Sequence, residues 1–262
     1  VIILKPNAGS HCGDTFRELV GIWEELNLCE VKDSPDDFCW INECGDILLY
    51  DLPRLDDRHI PKFRHGIFGN TVPMHPNCYP WIFWARSPRR LMEARKTPLL
   101  DYADRNIESI FLGKIENDVQ NQNRKNQNWE SADIELFHCP VDEPGPDHYP
   151  FTKEEYLEKL RHSKFGLALA GYGPKCNREI ELLGMGVVPL FAPEVDNTYY
   201  EPLQEGVHFL RVNSPEDVRK VIDSVSDSQW KKMHDAGQKW YQRNASPLGS
   251  FLITKKIMEI IS

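Results

Sequence analysis

No stretch of this 262-residue sequence approaches the roughly 18 consecutive apolar residues a membrane-spanning helix needs, and no signal-peptide pattern opens it. Basic residues are in deficit: 31 Lys and Arg stand against 40 Asp and Glu, a net charge of −9. That balance excludes general nucleic-acid binding, which draws its affinity from a basic face, and leaves only a local basic pocket for a small anion. None of the seven cysteines, Cys12, Cys29, Cys39, Cys44, Cys78, Cys139 and Cys176, stands in a C-x-x-C pair, and their number is odd. Neither a zinc knuckle nor a closed disulfide framework is expected, so the thiols read as reduced and mostly buried. The sequence also lacks D-x-D, a P-loop, G-x-S-x-G and H-E-x-x-H. One sequon, Asn244-Ala245-Ser246 followed by Pro247, is a weak sign of secretion. The chain opens on Val1 to Leu4, already strand-like and without Met, as a chain trimmed at its start would.

What is present is an ordinary globular composition, 40% hydrophobic and 27% charged, long enough for one large domain or two compact ones. The run Val1 to Leu4 predicts a strand, a glycine-punctuated loop follows, and Phe16, Leu19, Val20, Trp23 and Leu26 recur at helical spacing. Asp46 to Asp51 predicts a buried strand. Trp81 to Trp84 reads as a strand or as part of an aromatic wall, and with Tyr79 these rings fit either the core or a sugar-stacking surface. A second α/β series begins at Ser109 to Lys114. The polar tract Asn117 to Asn128 predicts a solvated helix, Ile134 to Phe137 a strand, and Asp142 to Pro150 a loop. Helices are predicted over Lys153 to His162 and Cys176 to Met185, and strands over Phe165 to Ala170 and Val187 to Phe191. Ser214-Pro215-Glu216-Asp217 and Ser226 with Gln229 read as helix starts. A closing helix should bury Phe251, Leu252, Ile257, Met258, Ile260 and Ile261. Alternating strands and helices in both halves point to two α/β domains with largely parallel sheets.

The chemistry concentrates in Leu169-Ala170-Gly171-Tyr172-Gly173-Pro174-Lys175-Cys176-Asn177-Arg178-Glu179-Ile180-Glu181. A strand ends, two glycines permit close backbone approach, and a helix starts with Lys175 and Arg178 in its first turns. Such a helix end favours an anion, and an arginine grips phosphate oxygens bidentately. Glu181, at i+3 from Arg178, can orient the arginine or accept from ribose hydroxyls. The alternative is an ordinary amphipathic helix with an Arg178–Glu181 surface pair.

The order Ser163-Lys164-Phe165, Gly171-Tyr172-Gly173, Arg178-x-x-Glu181 and Gly186-x-x-Pro189 resembles the C-terminal half of exostosin-like glycosyltransferases. The likeness is specific over 163–191 and extends more softly over Ile110 to Gly113. Within the family the chain looks most like viral β-xylosyltransferases. The resemblance implies a GT-B fold, two facing Rossmann-like domains with largely parallel sheets. It implies an acceptor-side domain over 1–106 completed by a closing helix at 248–262, and a nucleotide-sugar domain over 107–247. It carries Gly113, Lys114, Asn117, Gly171, Tyr172, Gly173, Lys175, Arg178 and Glu181 into a donor site. The implied activity is inverting and uses no metal, in keeping with the missing D-x-D, and UDP-xylose is the first donor expected. The acceptor expected is an oligosaccharide or glycoprotein, such as a fucose-bearing N-glycan. No nucleic-acid partner is expected, and the expected location is the cytoplasm, that of a host cell if the protein is viral.

An inverting transferase needs a base on the acceptor side. His11 and Asp14, in the loop after the first strand, and Asp51, after a later strand, are the candidates, with His65 a fourth. Asp14 equally suits a helix cap and His11 a plain polar loop residue. Two other functions stay open: a non-catalytic nucleotide- or glycan-binding protein of this fold, and a GDP-fucose-type transferase.

Overall fold

The apolar runs of the sequence become inner strands of two sheets. The computed structural model describes residues 2–6, 13–34, 39–41, 47–50, 65–69, 76–115, 127–138, 151–171 and 173–261. The first sheet holds β1 (Ile2–Pro6), β2 (Glu30–Ser34), β3 (Cys39–Ile41), β4 (Ile47–Tyr50), β5 (His65–Phe68) and β6 (Cys78–Pro80), in the order β2-β1-β3-β4-β5-β6. The second holds β7 (Ile107–Leu112), β8 (Leu136–His138), β9 (Ser163–Ala168), β10 (Val188–Phe191) and β11 (Leu210–Arg211), in the order β11-β10-β9-β7-β8. The fold is α/β, as expected. The second sheet is parallel throughout. The first departs from a wholly parallel one at β3, which runs antiparallel to both β1 and β4.

Helix α1 (Gly13–Glu25) buries Phe16, Leu19, Val20 and Trp23, whereas Leu26 falls past its end and is exposed. Trp81, Phe83 and Trp84 continue from β6 as buried core, and Tyr79 is half-buried, so the aromatic run is packing and no open wall. Helix α2 (Pro88–Ala94) has Pro88 in its first turn, where a missing N–H costs nothing. In the second half, α3 (Lys153–Arg161) is closed by a capping box between Thr152 and Glu155. Helix α4 (Asn177–Gly184) ends on Met185 and Gly186, with Val187 N–H bonded to Leu182 O and Gly186 N–H to Leu183 O. This Schellman ending needs the left-handed φ of +72° that Gly186 adopts. Helix α5 (Asp217–Asp223) starts later than its Ser-Pro-Glu-Asp motif suggested: the Asp217 N–H returns to Ser214 O, so the motif is spent on a turn. Ser226 and Gln229 do form the expected box at the start of α6 (Asp227–Asn244). The polar tract expected as a helix lies outside the described residues as far as 126, and a 3-10 turn, Trp129–Ser131, follows.

Helix α7 (Pro247–Ile261) buries Phe251, Ile253, Ile257 and Met258, but Leu252 and Ile260 are exposed and Ser250 and Thr254 take buried positions instead. Phe251 meets Trp23 of α1 edge-on at 5.6 Å, and Trp81 donates to the Thr254 hydroxyl. Between the sheets, three arginines cap carbonyl groups. Arg95 donates to Gly184 O, Arg161 to Ala94 O, Thr97 O and Pro98 O, and buried Arg105 to Leu100 O, Leu160 O, Ser163 O and Met185 O.

Candidate functional site

The second sheet reverses its winding between β7 and β9: β8 lies on one side of β7, and β9, β10 and β11 follow on the other. In open parallel sheets the crevice beyond the strand carboxyl ends at such a point is where ligands bind. Gly113-Lys114 leaves the carboxyl end of β7 and Gly171 to Gly173 lies past that of β9, so the topology brings these two predicted segments together. The Gly171 N–H bonds to Gly173 O at 3.0 Å, closing a tight loop before α4.

Arg178 is seated on the carboxyl end of β7. From α4 its Nη2 donates to Leu112 O at 2.8 Å, and its guanidinium carbon lies 4.5 Å from the Phe111 ring centroid. The fork passes over Gly113, where an added Cβ would stand 2.0 Å from Nη2. Any residue but glycine would push the guanidinium out of this seat. Lys114 sits half-buried beside it.

Three groups are placed otherwise than local spacing suggested. The Lys175 ammonium is 0% exposed, donates to Thr198 O at 2.6 Å, stands 3.8 Å from the Asp196 carboxylate and caps the Tyr199 ring at 4.8 Å. Burial pulls its pKa down to about 8, with Asp196 and Glu179 opposing. It fastens the 196–199 segment to the loop before α4, as does the bond from Asp196 N–H to Pro174 O. Glu181 is 3% exposed, which removes the surface-pair alternative. Its Oε1 accepts from Lys153 Nζ of α3 and from the Arg86 N–H at 3.1 Å. Glu179, buried, accepts from the Cys176 N–H and so places a carboxylate in the first turn of α4. A carboxylate there opposes the positive end of the helix and makes it a poor seat for an anion. Cys-x-x-Glu is a capping pattern that the sequence reading missed, although an acid three residues past a helix start was there to see.

Helix α4 also reaches the first sheet. Asn177 Nδ2 donates to Trp84 O at 2.8 Å, and Tyr200 N–H to Trp81 O at 3.0 Å. Since Trp81 to Trp84 follows directly on β6, the carboxyl edge of the first sheet runs up to the first turn of α4. β1 and β4 share that direction, both being antiparallel to β3. Of the candidate bases, Asp14 lies in the first turn of α1; His11 and Asp51 fall outside the described residues, as do Asn117 and Tyr172. His65 is the first residue of β5, at the opposite end of that strand from its carboxyl edge. Among the described residues no group of three His, Cys, Asp or Glu side chains is placed to hold a metal ion, and no helix is long and apolar enough to cross a membrane. Cys29, Cys78 and Cys176 form no disulfide, and burial raises the pKa of the first two to about 11.

No protein-family model and no curated protein matches the sequence. Many solved structures are similar to it, among them the following two. One is a glycosyltransferase from Rickettsia africae ESF-5, 11% identical, aligned over 94% of this chain and 52% of that one with a TM-score of 0.34. The other is HepE from Anabaena in complex with UDP-glucose, 9% identical over 97% of this chain and 54% of that one, with a TM-score of 0.33. The chain spans about half the length of either structure.

Proposed function

We propose that the chain is a glycosyltransferase of GT-B type that binds a nucleotide-diphosphate sugar at the carboxyl edge of β7 and β9 and transfers the sugar to a glycan hydroxyl. The observation that carries this reading is Arg178, seated on the carboxyl end of β7 at the point where the sheet reverses its winding. There it meets the diphosphate, whose negative charge grows as the glycosidic bond breaks, and Gly113, Gly171 and Gly173, having no side chains, leave room for the same oxygens. No metal is invoked, because the fixed guanidinium supplies the counter-charge. The acceptor approaches from the carboxyl edge of the first sheet, where Asp14 begins α1 and where the segments holding His11 and Asp51 follow β1 and β4. One of these three removes the acceptor proton, and attack opposite the leaving diphosphate inverts the anomeric centre. UDP-xylose is the donor and a fucose-bearing N-glycan the acceptor that the exostosin-like motifs suggest.

Calorimetric titration with UDP and GDP, followed by nuclear magnetic resonance of UDP-xylose turnover with fucosylated acceptors, tests this reading. UDP binding with transfer is expected. No nucleotide binding at millimolar concentration would overturn it. Preference for GDP would replace it with a GDP-fucose-type transferase, and binding without transfer or hydrolysis with a non-catalytic binding protein.

A further inference from the structure

We infer that Asn244-Ala245-Ser246, the one N-glycosylation sequon of the sequence, is the joint between α6 and α7, and that a glycan on Asn244 and the native fold exclude one another. Asn244 is 1% and Ser246 6% exposed. Both hydrogens of the Asn244 amide are committed: Nδ2 donates to Glu201 Oε2 at 3.0 Å and to Trp240 O at 3.1 Å. Its Oδ1 is buried and, among the described residues, meets no donor, so the two acceptors decide how the amide is turned. A glycan replaces one of those hydrogens by a bond to a sugar carbon, and a buried acceptor would then lose its partner.

The sequon's hydroxyl is committed as well. Ser246 Oγ donates to Gln242 O at 2.6 Å and accepts from the Gly249 N–H at 3.1 Å, in the first turn of α7. The N–H groups of Ala245 and Ser246 both donate to Tyr241 O at 2.8 Å. A Cβ on Gly249 would stand 2.3 Å from Gln242 O and 2.6 Å from Arg243 O, so α7 starts against the end of α6 and leaves no space there for a sugar. What the joint holds is Glu201. Its carboxylate accepts from Arg243 Nε as well as from Asn244, and its carbonyl oxygen from Trp240 Nε1 at 2.8 Å. Burial raises the pKa of this carboxyl, but the two side-chain hydrogen bonds outweigh it and leave the group below its ordinary range. The preceding residue, Tyr200, is tied through its N–H to Trp81 O, so the joint reaches the seam between the two sheets.

Two measurements test this. In the first, the chain is directed through the secretory route of a yeast, with Cys29→Thr as a control. That substitution completes a second sequon at Asn27, which is exposed in a left-handed turn after α1. Folded, secreted protein should carry a glycan at the control site and none on Asn244, read by peptide mass spectrometry with and without endoglycosidase. A glycan on Asn244 confined to retained, protease-sensitive chains would support the inference equally. Folded protein that carries it and melts as the parent does would overturn it. The second measurement uses unglycosylated protein. Asn244→Asp sets a carboxylate against that of Glu201 and should lower the melting temperature by about 5 °C. Adding Glu201→Gln restores the bond with donor and acceptor exchanged and should recover about half of that loss, since coupled residues are not additive. Where Asn244→Asp alone does not fold, folding of the double variant is the recovery. Parental melting of Asn244→Asp, or a double variant no more stable than the sum of its singles, would show that the joint does not depend on this amide and overturn the inference.

Discussion

The indole of Trp23 donates to the carbonyl oxygen of Pro247 at 2.7 Å, joining residues 224 apart in sequence. The Ser250 hydroxyl lies within 3.2 Å of the same nitrogen. One helical turn on, the Thr254 hydroxyl accepts from Trp81 at 2.7 Å. The first and last helices thus meet along a stripe of small polar acceptors set within apolar packing, because a buried indole N–H has to find a partner.

Thr254→Val keeps the shape of the stripe but leaves Trp81 Nε1 without its acceptor. A buried donor stranded in this way costs about 1–3 kcal/mol, which chemical denaturation will read as a lowered midpoint with an unchanged slope. A midpoint equal to that of the parent would mean that the contact contributes nothing.

Arg178→Ala should lower turnover as well as donor affinity, since the guanidinium meets charge that is larger in the transition state than in the bound donor. Loss of one such preorganised group is worth about 3–4 kcal/mol, or on the order of a hundred- to thousand-fold in rate. Near-parental transfer from a variant with unaltered melting would place the donor elsewhere.

Gly113→Ala should reproduce part of that loss without touching the arginine. The new methyl would displace the end of a flexible side chain and no backbone, so melting should change little. The measured quantity is UDP affinity, which should fall toward that of Arg178→Ala. An alanine variant that binds UDP as the parent does would show that the guanidinium needs no seat over residue 113.

Transfer should survive excess EDTA, because the counter-charge proposed for the diphosphate is covalently part of the chain. Complete loss of activity that magnesium or manganese restores would assign that task to a bound cation.

Lys175 makes stability depend on pH in a defined direction. Its folded pKa of about 8 lies below that of an unfolded lysine. Below about pH 8 both states hold the proton and the cost of the buried charge is present in full. Between about 8 and the ordinary lysine range the folded state releases its proton first, so stability rises with pH across that window. The melting temperature of the parent relative to Lys175→Met should accordingly climb from pH 7 to 9.5. A flat or falling difference would show that the ammonium stays charged throughout.

Elements that bury a continuous apolar run, such as β9 and β10, could be read directly from the sequence, because burial on both faces leaves no other composition. β2, with the sequence Glu-Val-Lys-Asp-Ser, could not: it is the edge strand of its sheet and has no need to be apolar. Helix α2 was hidden in a Pro- and Arg-rich stretch, and its proline stands in the first turn. At the site, the glycine loops and Arg178 were visible because strand, loop and helix follow one another locally. The partners of Glu181 were not. Lys153 is 28 residues away and Arg86 is 95, and no local spacing encodes either contact.

The carbonyl-capping arginines bear on how the chain can be divided. A cut between Asn106 and Ile107, placed where the second α/β series begins, would take Arg95 and Arg105 away from Gly184, Leu160, Ser163 and Met185 and expose those carbonyl oxygens at the base of the second sheet. The same cut would remove Trp84 and Arg86, the partners of Asn177 and Glu181. A fragment meant to hold the second sheet and its candidate donor site intact should therefore begin upstream of Trp84. Its boundary is set by what the backbone of α4 and β9 requires, and the first residue of β7 does not mark it.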